Sequence, residues 1–193
     1  MKGIIFTTFE AFITDSFGAD VYEDILDDTE LITTEPFVGP GTYPEADLVA
    51  LLTTAVQKLG ITVDDALAAF GTYSFPKLAD AVPQLMEGLH DAREFFTKLE
   101  SVIHTEVRKL DPEANPARFR VEHTGDATML LHYESPLGLF ALVGGFIDGV
   151  GESYGEQIIH EVVSTDGTNA TFALTFAPTA PSAALPAEAS VDG

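Results

Sequence analysis

Residues 91–110 read DAREFFTKLESVIHTEVRKL, and this segment says more about the fold and function than any other part of the chain. Its apolar residues recur at helical spacing and, at about 100° per residue, form one broad face of a helix. They are Phe95, Phe96, Leu99, Val102, Ile103, Val107 and Leu110. His104 lies at the edge of this face, so the helix is expected to pack on a core and still present an imidazole nitrogen to a cavity. Neutral imidazole binds transition metals and haem iron, which makes His104 a candidate ligand.

The residues before this segment are predicted to be mainly helical. Apolar spacing predicts helices over residues 2–15, ended by Gly18, and over residues 20–26. Asp47 is expected to cap a helix that ends at Gly60, and Thr62 with Asp65 resembles a capping box at the start of the next helix. Residues 31–44 are rich in Pro, Gly and Thr and predict a loop. Residues 71–76 are expected to break the helical pattern before it resumes through residue 86.

After residue 111 the apolar period changes to that of strands. Residues 119–123 and 128–133 predict one hairpin, and residues 158–164 and 171–176 predict a second. Between them, residues 139–157 predict an apolar helix with glycines at 144, 145, 149 and 151, where a bulky group or another backbone is expected to come close. Helices followed by two hairpins around one helix indicate an α+β domain. This domain is expected to span residues 1–176, with a disordered tail rich in Ala and Pro over residues 177–193.

Composition excludes several classes of function. The chain has 193 residues, 46% of them hydrophobic, and a formal net charge of −22, which disfavours both nucleic acid and anionic membranes as partners. It has no cysteine, so disulfides, thiolate ligands and iron–sulfur clusters are excluded. No apolar run is long enough for a transmembrane span and no signal peptide is recognised, so the expected location is the cytoplasm.

Catalytic motifs are also missing from the sequence. No HExxH is present, and Ser135 lacks the GxSxG context of a nucleophile. We therefore expect no enzymatic activity. Six of the nine basic residues surround His104 in sequence and either receive carboxylates such as haem propionates or form the solvated side of a helix and a strand. They are Arg93, Lys98, Arg108, Lys109, Arg118 and Arg120.

The chain resembles the haem nitric oxide/oxygen-binding (H-NOX) family over residues 1–176. The resemblance rests on the Met-Lys-Gly start with Ile5 and Phe9, on Phe17-Gly18, on His104, on residues 115–119 (NPARF) and on residues 132–135 (HYES). The most specific family motif is Tyr-x-Ser-x-Arg. Tyr133 and Ser135 match it, but Leu137 occupies the arginine position.

This resemblance implies an N-terminal helical lobe and a C-terminal lobe in which helices pack on an antiparallel sheet. It implies haem b as the cofactor, with His104 as the ligand of the iron, Tyr133 and Ser135 bonded to the propionates, and Pro116 beside the haem. Loss of the motif arginine removes a charge-assisted clamp of roughly 1.5–3 kcal/mol. Either Arg118, Arg120 or His132 compensates, or the chain is a degenerate member that binds haem weakly and acts as an interaction module.

The resemblance also implies a gas pocket without a tyrosine over the iron. Leu142 appears at the position where oxygen-binding members of the family carry that tyrosine. Ile5, Phe9, Ser74, Leu78 and Phe146 are expected on the same side. Such a pocket suits nitric oxide and carbon monoxide and disfavours oxygen, unless the hydroxyl of Ser74 or Tyr73 points inward. The expected function is gas sensing that is reported to a separate partner, typically a histidine kinase or a cyclic-di-GMP enzyme.

Overall fold

The computed structural model describes residues 1–105 and 116–178. Its helices are α1 Gly3–Phe17, α2 Ala19–Asp27, α3 Glu45–Leu59, α4 Val63–Ala81, α5 Pro83–Met86, α6 Ala92–Lys98 and α7 Phe140–Tyr154, with a π-helical turn at Leu99–His104. Its strands are β1 Arg118–His123, β2 Thr128–Glu134, β3 Glu156–Asp166 and β4 Asn169–Pro178. Among these described residues no single helix is long and apolar enough to cross a membrane, and α3 with α4 qualifies only as a pair bent by 111°.

The two predicted hairpins form one antiparallel sheet with the strand order β1-β2-β4-β3. Phe119 in β1 is the register partner of Tyr133 in β2, and a register shift interrupts the pairing of β3 between Val162 and Ser164. Alternate residues of β2 are buried, as expected for a sheet with one face on the core. The α+β architecture predicted from the sequence is therefore confirmed.

The buried apolar side chains of residues 1–105 and 116–178 form two clusters. The first belongs to the N-terminal helices and includes Phe6, Phe9, Phe12, Ile25, Leu51 and Phe70. The second lies between the sheet and the later helices and includes Phe75, Phe96, Leu131, Ile147, Phe172 and Leu174. Because α4 contributes Phe70 to one cluster and Phe75 to the other, this helix connects the two halves of the molecule.

Helices α4 and α7 cross with their backbones in contact. A Cβ atom placed on Gly145 would lie 1.9 Å from the carbonyl oxygen of Ala68, and one on Gly71 would lie 2.3 Å from that of Leu142. The Thr72 hydroxyl reinforces the crossing because it donates to the carbonyl oxygen of Gly145 at 3.0 Å. The glycines of α7 were expected where another backbone comes close, and Gly145 shows this directly.

The predicted break over residues 71–76 is wrong, because α4 continues through both Gly71 and Pro76. Proline lacks the N–H that would bond to the carbonyl four residues earlier, here that of Thr72. This carbonyl oxygen faces Gly149 of α7, where a Cβ atom would lie only 2.6 Å away. Packing between the helices therefore outweighs the local effect of the two helix-breaking residues.

The role predicted for Asp47 is also wrong, because α3 begins at Glu45 and Asp47 lies inside its first turn. Its carboxylate accepts hydrogen bonds from the backbone N–H groups of Ile32 and Thr33, at 2.7 and 3.1 Å, and from the Thr33 hydroxyl at 2.6 Å. The capping interaction at Thr62 is as predicted, since its hydroxyl oxygen accepts from the N–H of Asp65 at 3.1 Å.

The helix predicted over residues 91–110 changes character part-way. An α-helix ends at Lys98 and a π-helical turn follows, while residues 106–115 lie outside the described residues. The i to i+5 bonding of a π turn shifts the helical phase. Val102, expected on the buried face, is consequently 39% exposed, whereas Ile103 is buried.

At the other end of the chain, β4 extends to Pro178, and the rest of the predicted tail lies outside the described residues.

Candidate functional site

His104 is the last residue of the π turn and faces β1. Its side chain is 15% exposed, and the centroid of its ring lies 5.8 Å from that of Phe119. The Phe119 ring in turn lies 5.6 Å from that of Tyr133, and Tyr133 makes an edge contact with Phe140. The turn thus places the imidazole at one end of a row of aromatic rings that follows the sheet.

The two nitrogens of the His104 ring have different chemical roles. Nδ1 lies 3.2 Å from Oε2 of Glu100, one helical turn earlier. An ionised carboxylate only accepts hydrogen bonds, so Nδ1 carries the proton and the lone pair of the neutral ring is on Nε2. A carboxylate partner of this kind fixes the orientation and tautomer of metal-binding histidines. The spacing of four residues between Glu100 and His104 is the sequence signal from which this pair could have been predicted.

Tyr133 and Ser135 hold the segment that follows β2. The Tyr133 hydroxyl accepts from the N–H of Leu139 at 3.4 Å, and the Ser135 hydroxyl accepts from that of Leu137 at 3.3 Å. Both hydroxyls act as acceptors in these bonds and keep their own protons for donation to another acceptor. The side chain of Leu137, which is predicted to occupy the arginine position of the motif, is 36% exposed and has no polar atom.

The basic and imidazole groups considered as substitutes for the missing arginine lie elsewhere. Arg120 and His132 are register partners and alternate with Phe119 and Tyr133, which places them on the other face of the sheet. His132 Nδ1 lies 3.0 Å from the Thr171 hydroxyl on that face, and Arg118 is exposed at the start of β1. The geometry therefore gives no support to compensation by Arg120 or His132.

Arg93, a further member of the basic group, anchors the turn between β1 and β2. Its guanidinium donates to the carbonyl oxygens of Gly125, at 2.7 Å, and of Asp126, and it lies 3.1 Å from Nδ1 of His123. Lys98 is exposed, and Arg108 and Lys109 lie outside the described residues. The interpretation of this group as one receiver of carboxylates has no geometric support where its members are described.

The residues expected on the gas side are divided between the two buried clusters. Phe9 is buried in the N-terminal cluster with an edge contact to Phe70, and Ile5 and Leu142 pack against this cluster. Phe146 packs against the other cluster, with an edge contact to Phe75. Leu142 and Phe146 flank the glycine crossing of α7 with α4, so the predicted set lies along the boundary between the two halves.

The hydroxyl groups near this boundary are engaged by other partners. The Ser74 hydroxyl donates to the carbonyl oxygen of Phe70 at 2.5 Å, and the Tyr73 hydroxyl donates to Oδ2 of Asp15 at 2.6 Å. Leu78, one helical turn after Ser74, is half-buried, as is Pro116 just before β1. The protons of the Ser74 and Tyr73 hydroxyls are therefore donated to protein acceptors.

Comparison with known families agrees with this arrangement. Residues 2–162 match the sequence model of the haem-NO-binding family, HNOB. The chain belongs to the HNOB family. This match covers the helix with His104, the sheet pair with Tyr133 and the helical crossing. A comparison with curated protein sequences finds no match.

The similar solved structures are H-NOX proteins. The Fe(II) unliganded H-NOX protein from K. algicida is 28% identical, with a TM-score of 0.81 over 92% of this chain and 97% of that one. The H-NOX protein from Shewanella woodyi in the Fe(II)CO state is 26% identical, with a TM-score of 0.81 over 96% and 99% of the two chains. The one from S. oneidensis in the Fe(II)NO state, 23% identical, shares the fold with a TM-score of 0.85 over 92% and 99%.

The residues present fit the haem of this family on the side of His104. The donor set is an imidazole oriented by a carboxylate and bordered by the aromatic ring of Phe119. A single protein nitrogen of this kind suits a metal whose remaining ligands come from a porphyrin. The Tyr133 and Ser135 hydroxyls are donors of the type that carboxylate side groups require, whereas Leu137 is not.

Proposed function

We propose that this chain is a haem-based gas sensor that binds nitric oxide and carbon monoxide at ferrous haem b, with His104 as the protein ligand. H-NOX domains are sensor domains and are not catalytic on their own. The observation that supports the proposal is the bond between Glu100 and Nδ1 of His104, which orients the imidazole beside the aromatic ring of Phe119. Haem iron bound there would supply a coordination position for a diatomic gas.

The remaining predicted residues have separate tasks in this proposal. Tyr133 and Ser135 would donate hydrogen bonds to the propionates, and Pro116 would lie beside the haem. The apolar wall on the gas side excludes water and consists of Ile5, Phe9, Leu78, Leu142 and Phe146, with the Ser74 methylene. The proposed sensor domain includes β4, which ends at Pro178, two residues beyond the boundary predicted from the sequence.

Selectivity follows from the direction of the hydroxyls. Stable oxygen binding needs a hydrogen-bond donor near the gas, whereas nitric oxide and carbon monoxide bind without one. The Ser74 and Tyr73 hydroxyls donate to Phe70 and Asp15, and Leu142 and Phe9 have no polar side-chain atom. We therefore expect ferrous protein in air to show no stable oxygen spectrum.

An absorption spectrum of protein purified with a supply of haem tests the proposal. We expect a Soret band in the wild type and its loss in His104→Ala, because the metal loses its protein ligand. His90→Ala is the matched control, since His90 is exposed and lies outside the site. A band of equal intensity in His104→Ala would refute the assignment of the ligand.

A second candidate function follows from Leu137. Its apolar side chain offers no partner to a propionate, so a member of the family that binds haem weakly and acts as an interaction module fits this observation. The substitution Leu137→Arg restores the motif and is expected to slow haem transfer to apomyoglobin by roughly tenfold to a hundredfold, as expected for a charge-assisted bond. A colourless wild type that takes up no added haem would favour the interaction module.

The proposed output acts on a separate protein in the cytoplasm, of the histidine kinase or cyclic-di-GMP enzyme class. The acidic surface, with a formal net charge of −22, disfavours nucleic acid and membranes as targets. The test is the activity of a candidate kinase titrated with gas-free and nitric-oxide-treated protein. Equal activity in both titrations would exclude that kinase as the partner.

A further inference from the structure

Glu100 joins three parts of the candidate site through its side chain and backbone. The same carboxylate oxygen, Oε2, accepts from Nδ1 of His104 and from the backbone N–H of Phe119, each at 3.2 Å. The Thr105 hydroxyl donates to the backbone carbonyl oxygen of Glu100 at 3.0 Å, across the π turn. A residue of the turn is therefore bonded both to the imidazole and to the second residue of β1.

The π turn explains why these groups meet. In the turn Leu99–His104, Leu99 and Ile103 remain buried while Val102 rotates outward. Turns of this type are frequent at functional sites, where they change the direction of a side chain. Here Glu100 is 32% exposed and His104 15% exposed, so both side chains lie at the boundary between the core and the surface.

We propose that Glu100 is the positioning residue of His104 and couples the imidazole to β1. A carboxylate that accepts from Nδ1 increases the electron density at Nε2 and fixes the plane of the ring. The bond to Phe119 holds this carboxylate in place from outside the helix. A change in the position of the imidazole consequently alters a bond in β1, the strand that also places Phe119 against His104 and Tyr133. This inference rests on the proposed binding of haem at His104.

Glu100→Gln tests the inference in the full chain loaded with ferrous haem. The amide oxygen still accepts a hydrogen bond but lacks the charge, so we expect a lower iron–histidine stretching frequency in resonance Raman spectra and a higher reduction potential. Glu100→Ala is expected to shift both in the same direction and further. Glu152→Gln is the matched control, because it removes the same charge from an exposed position of α7 and is expected to shift neither.

A measurement without haem tests the bond to β1. Hydrogen exchange of the Phe119 amide, followed by NMR, is expected to accelerate by roughly tenfold or more in Glu100→Ala and to stay unchanged in Glu152→Gln. A role confined to stability would alter this rate but not the iron–histidine frequency of the loaded protein.

The outcomes distinguish the inference from the proposed function. If haem stays bound through His104 while Glu100→Gln and Glu100→Ala leave the frequency and potential unchanged, the inference is wrong and the proposed function stands. If the His104→Ala variant retains haem as well as the wild type does, both the inference and the proposed function are wrong. Shifts in the Glu100 variants, together with normal spectra in Glu152→Gln, support the inference.

Discussion

Asp47 in the N-terminal helical region and Glu100 in the region of His104 perform the same chemistry in different surroundings. Each is a carboxylate on a helical segment that accepts from the backbone of a segment distant in sequence. Asp47 is 1% exposed and, among the described residues, accepts from the backbone of Ile32 and from the backbone and hydroxyl of Thr33, which are permanent donors. Glu100 is 32% exposed, and one of its donors is an imidazole.

The difference shows how one interaction serves structure in one region and function in the other. A buried carboxylate with a full set of donors has no alternative partner, so Asp47 keeps the loop before α3 in one conformation. A half-exposed carboxylate is partly hydrated, so replacing one of its donors by water costs less at Glu100 than at Asp47. The region of His104 is thus expected to tolerate single changes better than the N-terminal region.

The largest expected effect comes from the helix crossing on which both regions depend. Gly145→Ala places a Cβ atom 1.9 Å from the carbonyl oxygen of Ala68, and both neighbouring backbones must move. We expect the free energy of unfolding to fall by about 3 kcal/mol or more. Urea denaturation measures the loss.

Gly39→Ala is the control for this substitution, because no atom lies within 4 Å of a Cβ atom placed there. Its expected effect is close to zero. A Gly145→Ala variant as stable as Gly39→Ala would show that α4 and α7 are farther apart than the structure has them.

Asp47→Asn tests the buried carboxylate of the two. One oxygen of the group becomes an NH₂ donor that faces other donors, so a loss of about 2–3 kcal/mol is expected in urea denaturation at pH 7. Asp80→Asn, at an exposed position late in α4, is the control and is expected to change little. Equal stability of the two variants would contradict a structural role of Asp47.

The difference in stability between the wild type and Asp47→Asn is expected to depend on pH. Burial alone would raise the pKa of Asp47, but the bonds from the Thr33 hydroxyl and from the Ile32 and Thr33 amides outweigh burial and lower the pKa. A lowered pKa in the folded state contributes stability that is present above the ordinary pKa of about 3.8. The gap between wild type and Asp47→Asn should therefore close as the pH falls below that value.

Glu100→Gln tests the half-exposed carboxylate and has a smaller expected effect on stability. The amide keeps one acceptor, and water reaches the half-exposed group, so the expected loss is about 1 kcal/mol in the haem-free protein. Urea denaturation beside Glu152→Gln provides the measurement. A loss as large as that of Asp47→Asn would remove the distinction between the two carboxylates.

Local sequence signals predicted much of this fold. Glycines at 18 and 60 end α1 and α3 as expected, because they follow apolar periodicity and precede a new element. The alternation of residues in β1 and β2 predicted the hairpin, since one face packs on the core. The α+β class followed from the order of these elements.

The errors at Pro76 and Asp47 have one cause, which is contact between segments distant in sequence. A proline such as Pro76 usually ends an isolated helix, but α4 packs on α7 and continues through it. Asp47 is a residue type that often caps helices, but its carboxylate accepts from the backbone N–H and the hydroxyl of Thr33 instead. His104 is predicted as a ligand from its place on an apolar helix and from the resemblance, and this stays a prediction. The contact of Glu100 with Phe119 depends on a π turn that helical periodicity does not predict.

Tyr73→Phe is expected to give the smallest effect and concerns the outer side of the helical region. The hydroxyl of Tyr73 donates to Asp15 at 2.6 Å and connects α4 to α1, so its removal should cost about 0.5–1 kcal/mol.

Burial, followed by the bond to Asp15 and its charge, raises the pKa of Tyr73 to about 12. A raised pKa means that the contribution is complete below the ordinary value of 10.0 and is lost as the pH rises through about 12. Denaturation of both proteins from pH 8 to 12 should show the gap closing at the alkaline end; a constant gap would mean that the Asp15 bond does not hold this hydroxyl. The same variant should still form no stable oxygen complex, because in the wild type this hydroxyl donates to Asp15.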